Sequence, residues 1–205
     1  SKFVLEIMIM YDTSNAVKYH YGKFPPNEVD YNAFMGNLLS ATEAMARFDQ
    51  MLKNMHNNEI FLAPLRSQEA VMSSRMEGTI STMDEIMEYQ SEEESEIKAR
   101  PDVIETILYQ RTMRNAQKSI EEGYDLTASF IRTMHQQLLS FGRGAAKNPG
   151  KFKEKQNYLG DEKVKEVYFI PITTEKLQEE LDLWSDFVKN SSLPNLVKTA
   201  ILHLE

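Results

Sequence analysis

Apolar residues recur along most of the chain at steps of three and four, the period of helices that bury one face. Phe34, Leu38, Ala41, Met45, Phe48 and Leu52 form the first such stripe, and Asp30 just ahead of it suits an N-cap. A second helix is expected over about 59–75, stopped by Gly78. A short third follows: Ser81 and Asp84 have the spacing of a capping box, and Ile80, Met83, Ile86 and Met87 would supply its apolar face. Pro101 fits the first turn of a long helix whose Val103, Ile104, Ile107, Leu108 and Met113 point inward and whose end is marked by Gly123. The next helix starts near Asp125 or Thr127, carries Phe130, Ile131, Met134 and Leu138, and ends at Gly142-Arg143-Gly144. Leu177, Leu181, Trp184 and Val188 define another, and Ser192 with Pro194 at the first helical position opens a last one that reaches Glu205.

Two stretches break this period. Residues 1–30 read as an irregular or partly extended arm, because Val4, Ile7 and Ile9 favour strand and Pro25-Pro26 excludes helix. From Gly144 to Pro171 the helical pattern is lost, Pro149-Gly150 and Gly160-Asp161 look like turns, and Val164 to Ile170 is rich in strand formers. The fold class expected is therefore mainly α with one β-hairpin between helices. The acidic run Glu92, Glu93, Glu94 and Glu96 reads as a solvated linker.

Composition narrows the function classes. A formal charge of -8 argues against a nucleic-acid surface covering the whole chain, since phosphate neutralisation needs an excess of Lys and Arg. With no Cys there is no disulfide, thiolate nucleophile or Cys-held zinc. The apolar run Phe3 to Tyr11 is short and interrupted by Glu6, far from the roughly 20 apolar residues of a spanning helix. A soluble, cytoplasmic protein is the expectation.

The familiar catalytic constellations are missing: no P-loop, no G-x-G-x-x-G, no H-E-x-x-H and no nucleophile elbow. His20, His56, His135 and His203 are scattered, and His135 and His203 sit beside apolar positions where a hydrogen-bonded structural histidine is expected. Ser73-Ser74-Arg75-Met76-Glu77-Gly78 is the most unusual string. It reads as a helix terminus with a Gly cap, yet a glutamate at the negative end of a helix dipole would gain from a cation elsewhere. Lys147, Lys151, Lys153 and Lys155 stand out in an acidic chain. They protect a solvated edge strand, or they mark an edge that docks an extended peptide or phosphate oxygens.

Several strings, taken together, resemble successive landmarks of Fic proteins that carry an N-terminal inhibitory helix. They are Tyr21-Gly22-Lys23-Phe24-Pro25-Pro26; Glu69 through Thr79 with Ser73, Glu77 and Gly78 matching [ST]-x-x-x-E-[GN]; Gly150-Lys151-Phe152; Gln156-Asn157-Tyr158-Leu159-Gly160; Tyr168-Phe169-Ile170-Pro171; and Leu193-Pro194 with Ala200-Ile201-Leu202-His203. They occur in family order over nearly the whole chain. The resemblance implies a helical Fic fold in which the hairpin is a flap over the active site. It divides the chain into an N-terminal helical region with the inhibitory helix, 1–100, and the front part of the Fic core, 101–205.

By that resemblance the activity is transfer of AMP from ATP to a hydroxyl of a target protein, with Mg²⁺ in the complete protein. Ser73, Glu77 and Gly78 would form the regulatory edge of the ATP site, and Phe152, Gln156, Asn157, Tyr158, Leu159 and Tyr168 the target-binding flap. Glu77 would pair with an arginine of the catalytic string H-P-F-x-[DE]-G-N-G-R and obstruct the ATP γ-phosphate. That string, which carries the general base, the metal-holding carboxylate and the phosphate cradle, does not occur in these 205 residues. The expectation is thus the front part of a longer enzyme, inactive alone and with neither cofactor nor metal of its own. Its partner is an unidentified target protein, with homo-oligomers possible, no membrane, and nucleic acid only through a further C-terminal domain. The alternative is a noncatalytic helical interaction module whose lysine-rich hairpin is a partner edge.

Overall fold

The computed structural model describes residues 11–91, 100–161 and 163–205. The strand-favouring Val4, Ile7 and Ile9 and the acidic run at 92–96 lie outside the described residues. The architecture is mainly helical with a small three-stranded sheet, as the hydrophobic pattern leads one to expect. The helices are α1 (Met35–Lys53), α2 (Glu59–Met76), α3 (Met83–Ser91), α4 (Pro101–Glu121), α5 (Ala128–Leu138), α6 (Thr174–Asn190) and α7 (Asn195–Leu204). The strands are β1 (Val17–Lys18), β2 (Leu159–Asp161) and β3 (Glu166–Ile170), in the order β1-β3-β2.

The chain divides into two compact units, one made of residues 1–35 with 152–205 and the other of 36–151. The division at 100/101 drawn from family landmarks falls inside the second unit. There α2, α3 and α4 share one cluster of buried residues, Val71, Ile86, Val103 and Ile107, with Met83 and Tyr89 packed against it. Polar pairs thread the same interior: Ser81 Oγ and Thr106 Oγ1 lie 2.8 Å apart, and Gln110 Nε2 donates to Ser67 Oγ at 2.7 Å. Satisfied in this way, buried polar groups cost little and fix the register of the helices.

Several boundaries differ from expectation, each for a local reason. Asp30 does cap, but it caps a short 3-10 turn at Tyr31–Ala33, accepting from Asn32 N–H, and α1 begins only at Met35. The capping box ahead of α3 is Thr82 with Glu85, not Ser81 with Asp84: Thr82 N–H donates to Glu85 Oε2 at 2.9 Å and Glu85 N–H to Thr82 Oγ1 at 3.3 Å. Ser81 is buried against Thr106 instead. The one-residue shift leaves Ile86 buried and turns Ile80 and Met87 outward. Thr127, rather than Asp125, caps α5 by accepting from Phe130 N–H. Gly160-Asp161 forms no turn but belongs to β2, and the reversal follows at Lys163 to Lys165, where Asp161 Oδ1 accepts from Lys163 N–H at 2.7 Å. Pro194 precedes α7 as its cap residue, so Ser192 lies outside the helix.

In the other unit Phe24 packs edge-on against Phe187 of α6, with ring centroids 5.2 Å apart, and Val167 and Val197 are buried as well. Among the described residues no helix is long and apolar enough to cross a membrane.

Candidate functional site

The C-terminus of α2 is built by a Schellman closure. Thr79 N–H reaches back to Ser74 C=O at 3.0 Å and Gly78 N–H to Arg75 C=O at 3.0 Å, with Gly78 at φ 85°. Only glycine takes that backbone conformation without strain, so Gly78 is where the helix can stop and Glu77 is fixed as its cap residue. Arg75 does not compensate the Glu77 carboxylate; its Nη2 donates to Ser81 C=O across the turn at 3.4 Å. Among the described residues Glu77 makes no side-chain hydrogen bond or ion pair, and it is exposed.

Glu77 lines a cavity of about 540 Å³ together with Ser73, Thr79, Glu105, Tyr109 and Phe141. Ser73 is held from within: its Oγ donates to Glu69 Oε1 at 2.6 Å, and Tyr109 Oη donates to the same oxygen at 2.9 Å. Burial first, and the neighbouring Glu69 second, push the Tyr109 phenol above its usual range. Glu105 accepts from Thr79 Oγ1 at 3.3 Å and lies against Gly142, where a Cβ would meet Glu105 Oε1 at 2.2 Å. Among the described residues the lining holds the two carboxylates Glu77 and Glu105 and no Lys or Arg.

The residues expected to form a flap divide by position. Gln156 Nε2 donates to Pro171 C=O at 2.9 Å, and Asn157 Oδ1 accepts from Lys153 Nζ at 2.8 Å, so both tie down the base of the hairpin. Leu159 and Tyr168 stand outward, 64% and 49% exposed, whereas Phe152 and Tyr158 are half-buried. Gly160 is needed for contact itself: a Cβ there would lie 2.2 Å from Glu166 O, at the bulge between Leu159 and Gly160. None of the four lysines lies on a strand. Lys153 also donates to Ile172 C=O, and burial holds its ammonium below the usual lysine range, making it a structural clamp rather than a free phosphate ligand.

Residues 35–118 match the family model described as Fic/DOC family N-terminal. Over this region the chain is similar to the Fic/DOC family. No curated protein matches it. The matched region spans α1 to α3 and most of α4, and so contains Ser73, Glu77 and Gly78, while the hairpin lies beyond it. Among the described residues no three His, Asp or Glu side chains come together as metal ligands would.

Two features of the chain escape a periodicity reading. Glu180 sits on the inward face of α6, 6% exposed, where it accepts from Tyr19 Oη at 3.2 Å and Gly22 N–H at 3.3 Å; a charge among apolar neighbours at helical spacing was its only signal. Gly150 is gripped by α5 on both sides, its N–H donating to His135 Nδ1 at 2.8 Å and its C=O accepting from Arg132 Nε at 2.8 Å. His135 is therefore a structural acceptor, in keeping with the expectation for it.

Proposed function

We propose that this chain is the front part of a protein adenylyltransferase and that Glu77 restrains it. In the reaction a Ser, Thr or Tyr hydroxyl oxygen of a target attacks the α-phosphorus of ATP. The bond to the bridging β-phosphate oxygen breaks, and pyrophosphate leaves. The proton passes to a general base in the family's catalytic string. What this chain contributes is positioning and restraint. The flap aligns an extended target segment by main-chain pairing, a sequence-tolerant mode. Glu77, at the negative end of α2 and in a cavity with Glu105, disfavours a third anion there and draws the cation of an arginine.

The observation that carries this reading is the unpaired Glu77 carboxylate directed to the cavity from within the matched Fic/DOC region. In a protein where residues 1–205 are joined to the catalytic string, Glu77→Gly should raise automodification by ATP labelled at the α-phosphate by at least about tenfold, roughly 1.4 kcal/mol in barrier. An unchanged signal would remove the inhibitory role.

One observation favours a noncatalytic interaction module instead: α1 buries no residue and exposes Leu39, Met45 and Phe48. Turnover of labelled ATP by the complete protein decides between the two.

A further inference from the structure

β3 has no free edge. β2 pairs with it antiparallel on one side, and β1 pairs parallel on the other, Val17 opposite Phe169 and Lys18 opposite Ile170. The arm adds further main-chain bonds: Asp12 N–H to Lys165 C=O at 2.7 Å, Val167 N–H to Asp12 C=O at 2.8 Å, and Tyr19 N–H to Ile170 C=O at 2.9 Å. We propose that residues 12–18 are a displaceable strap, holding by parallel strand pairing the edge of β3 to which an extended target segment would otherwise add. This rests on the reading of the hairpin as a target-docking flap.

The strap's grip is almost entirely backbone. From Tyr11 to Lys18 no residue is buried, and Val17 is 65% exposed. Any extended segment could make the same bonds, and a segment with so little buried surface opens at low free-energy cost. Its root is different. Tyr19 Oη and Gly22 N–H both bond Glu180, Tyr21 Oη donates to Glu179 Oε2 at 2.6 Å, and Phe24 is buried against Phe187. The strap can therefore lift while tethered, and the tether keeps its local concentration near the millimolar range, so a free peptide competes poorly with it. The opposite edge is closed more firmly, because Gly160 brings β2 against the β3 backbone.

Two measurements on the 205-residue chain test this. Tyr19 turns its N–H to β3, and Val17, two residues back, turns its own the same way, whereas that of Lys18 faces outward. Val17→Pro should thus release the strap and Lys18→Pro should leave it paired. The probe is a peptide of residues 11–19, titrated while the amide resonances of Phe169 and Ile170 are followed. The expected result is binding to Val17→Pro at least about tenfold tighter than to the parent or to Lys18→Pro. Equal binding to all three overturns the strap but leaves the docking flap standing; binding to none overturns both. Should Val17→Pro fail to fold, hydrogen exchange on the unaltered chain decides: the amides of Asp12 and Val167 should exchange faster than the amides joining β2 to β3. Equal protection overturns the proposal.

Discussion

Glu77 and Tyr168 are both exposed side chains at the ends of the functional reading, yet they stand on different foundations. Glu77 is held by a helix cap closed through Gly78 and by a helix seated on the Val71–Ile86–Val103–Ile107 cluster. Tyr168 rides on a five-residue strand whose neighbours are a three-residue strand and a two-residue strand. A restraint on a nucleotide needs a group fixed in one place, and packing supplies that. A surface that receives varied extended segments needs backbone groups that can change partners, and short strands supply that.

The contrast can be broken most strongly at its packed side. Ile86→Ala removes a side chain only 1% exposed from the centre of the cluster and should cost about 3 kcal/mol in urea unfolding followed by circular dichroism. If the loss is under about 1 kcal/mol, the cluster is not what seats α2. Next comes Gly160→Ala, whose Cβ cannot fit 2.2 Å from Glu166 O; forcing β2 away should cost about 2 kcal/mol, read by the fluorescence of Trp184, the chain's one tryptophan. The smallest effect belongs to the cap of α3. Hydrogen bonds from Arg100 first, and from Thr82 next, hold the Glu85 carboxyl below its usual 4.5. Because the folded state prefers the charged form, the contribution is complete above the unfolded value and is lost as pH falls through the folded one. Glu85 is exposed, so the expected acid-side difference between parent and Glu85→Gln is slight and shrinks further in high salt.

Helices were legible where apolar residues recur at helical steps, as in α4, whose Val103 and Ile107 are buried as their spacing requires, but the polar Thr106, Gln110 and Thr112 are buried as well and Met113 is exposed. Caps were legible in kind but slipped by a residue: Ser81-Asp84 and Thr82-Glu85 have the same spacing, and only the burial of Ser81 against Thr106 separates them. Non-local pairing was not legible at all. Nothing in Val17-Lys18 announces that it lies beside Phe169 and Ile170, more than 150 positions away, because the bonds are main-chain and leave no side-chain pattern. The Lys153 clamp was hidden for a related reason: its partners are Asn157 and a backbone carbonyl, so a charge count assigns it to the surface.

The arm and β3 keep unequal step. Asp12 and Val17 face Glu166 and Phe169, five positions matched to three, so two residues of chain are held in reserve around Thr13 to Ala16. Two is the side-chain repeat of an extended chain, so paying out this slack would shift the arm along its neighbour while every side chain kept its own face. In the structure the two extra residues are taken up by a turn, with Ala16 N–H donating to Thr13 C=O at 3.2 Å and Ser14 N–H to Asp12 Oδ1 at 2.9 Å.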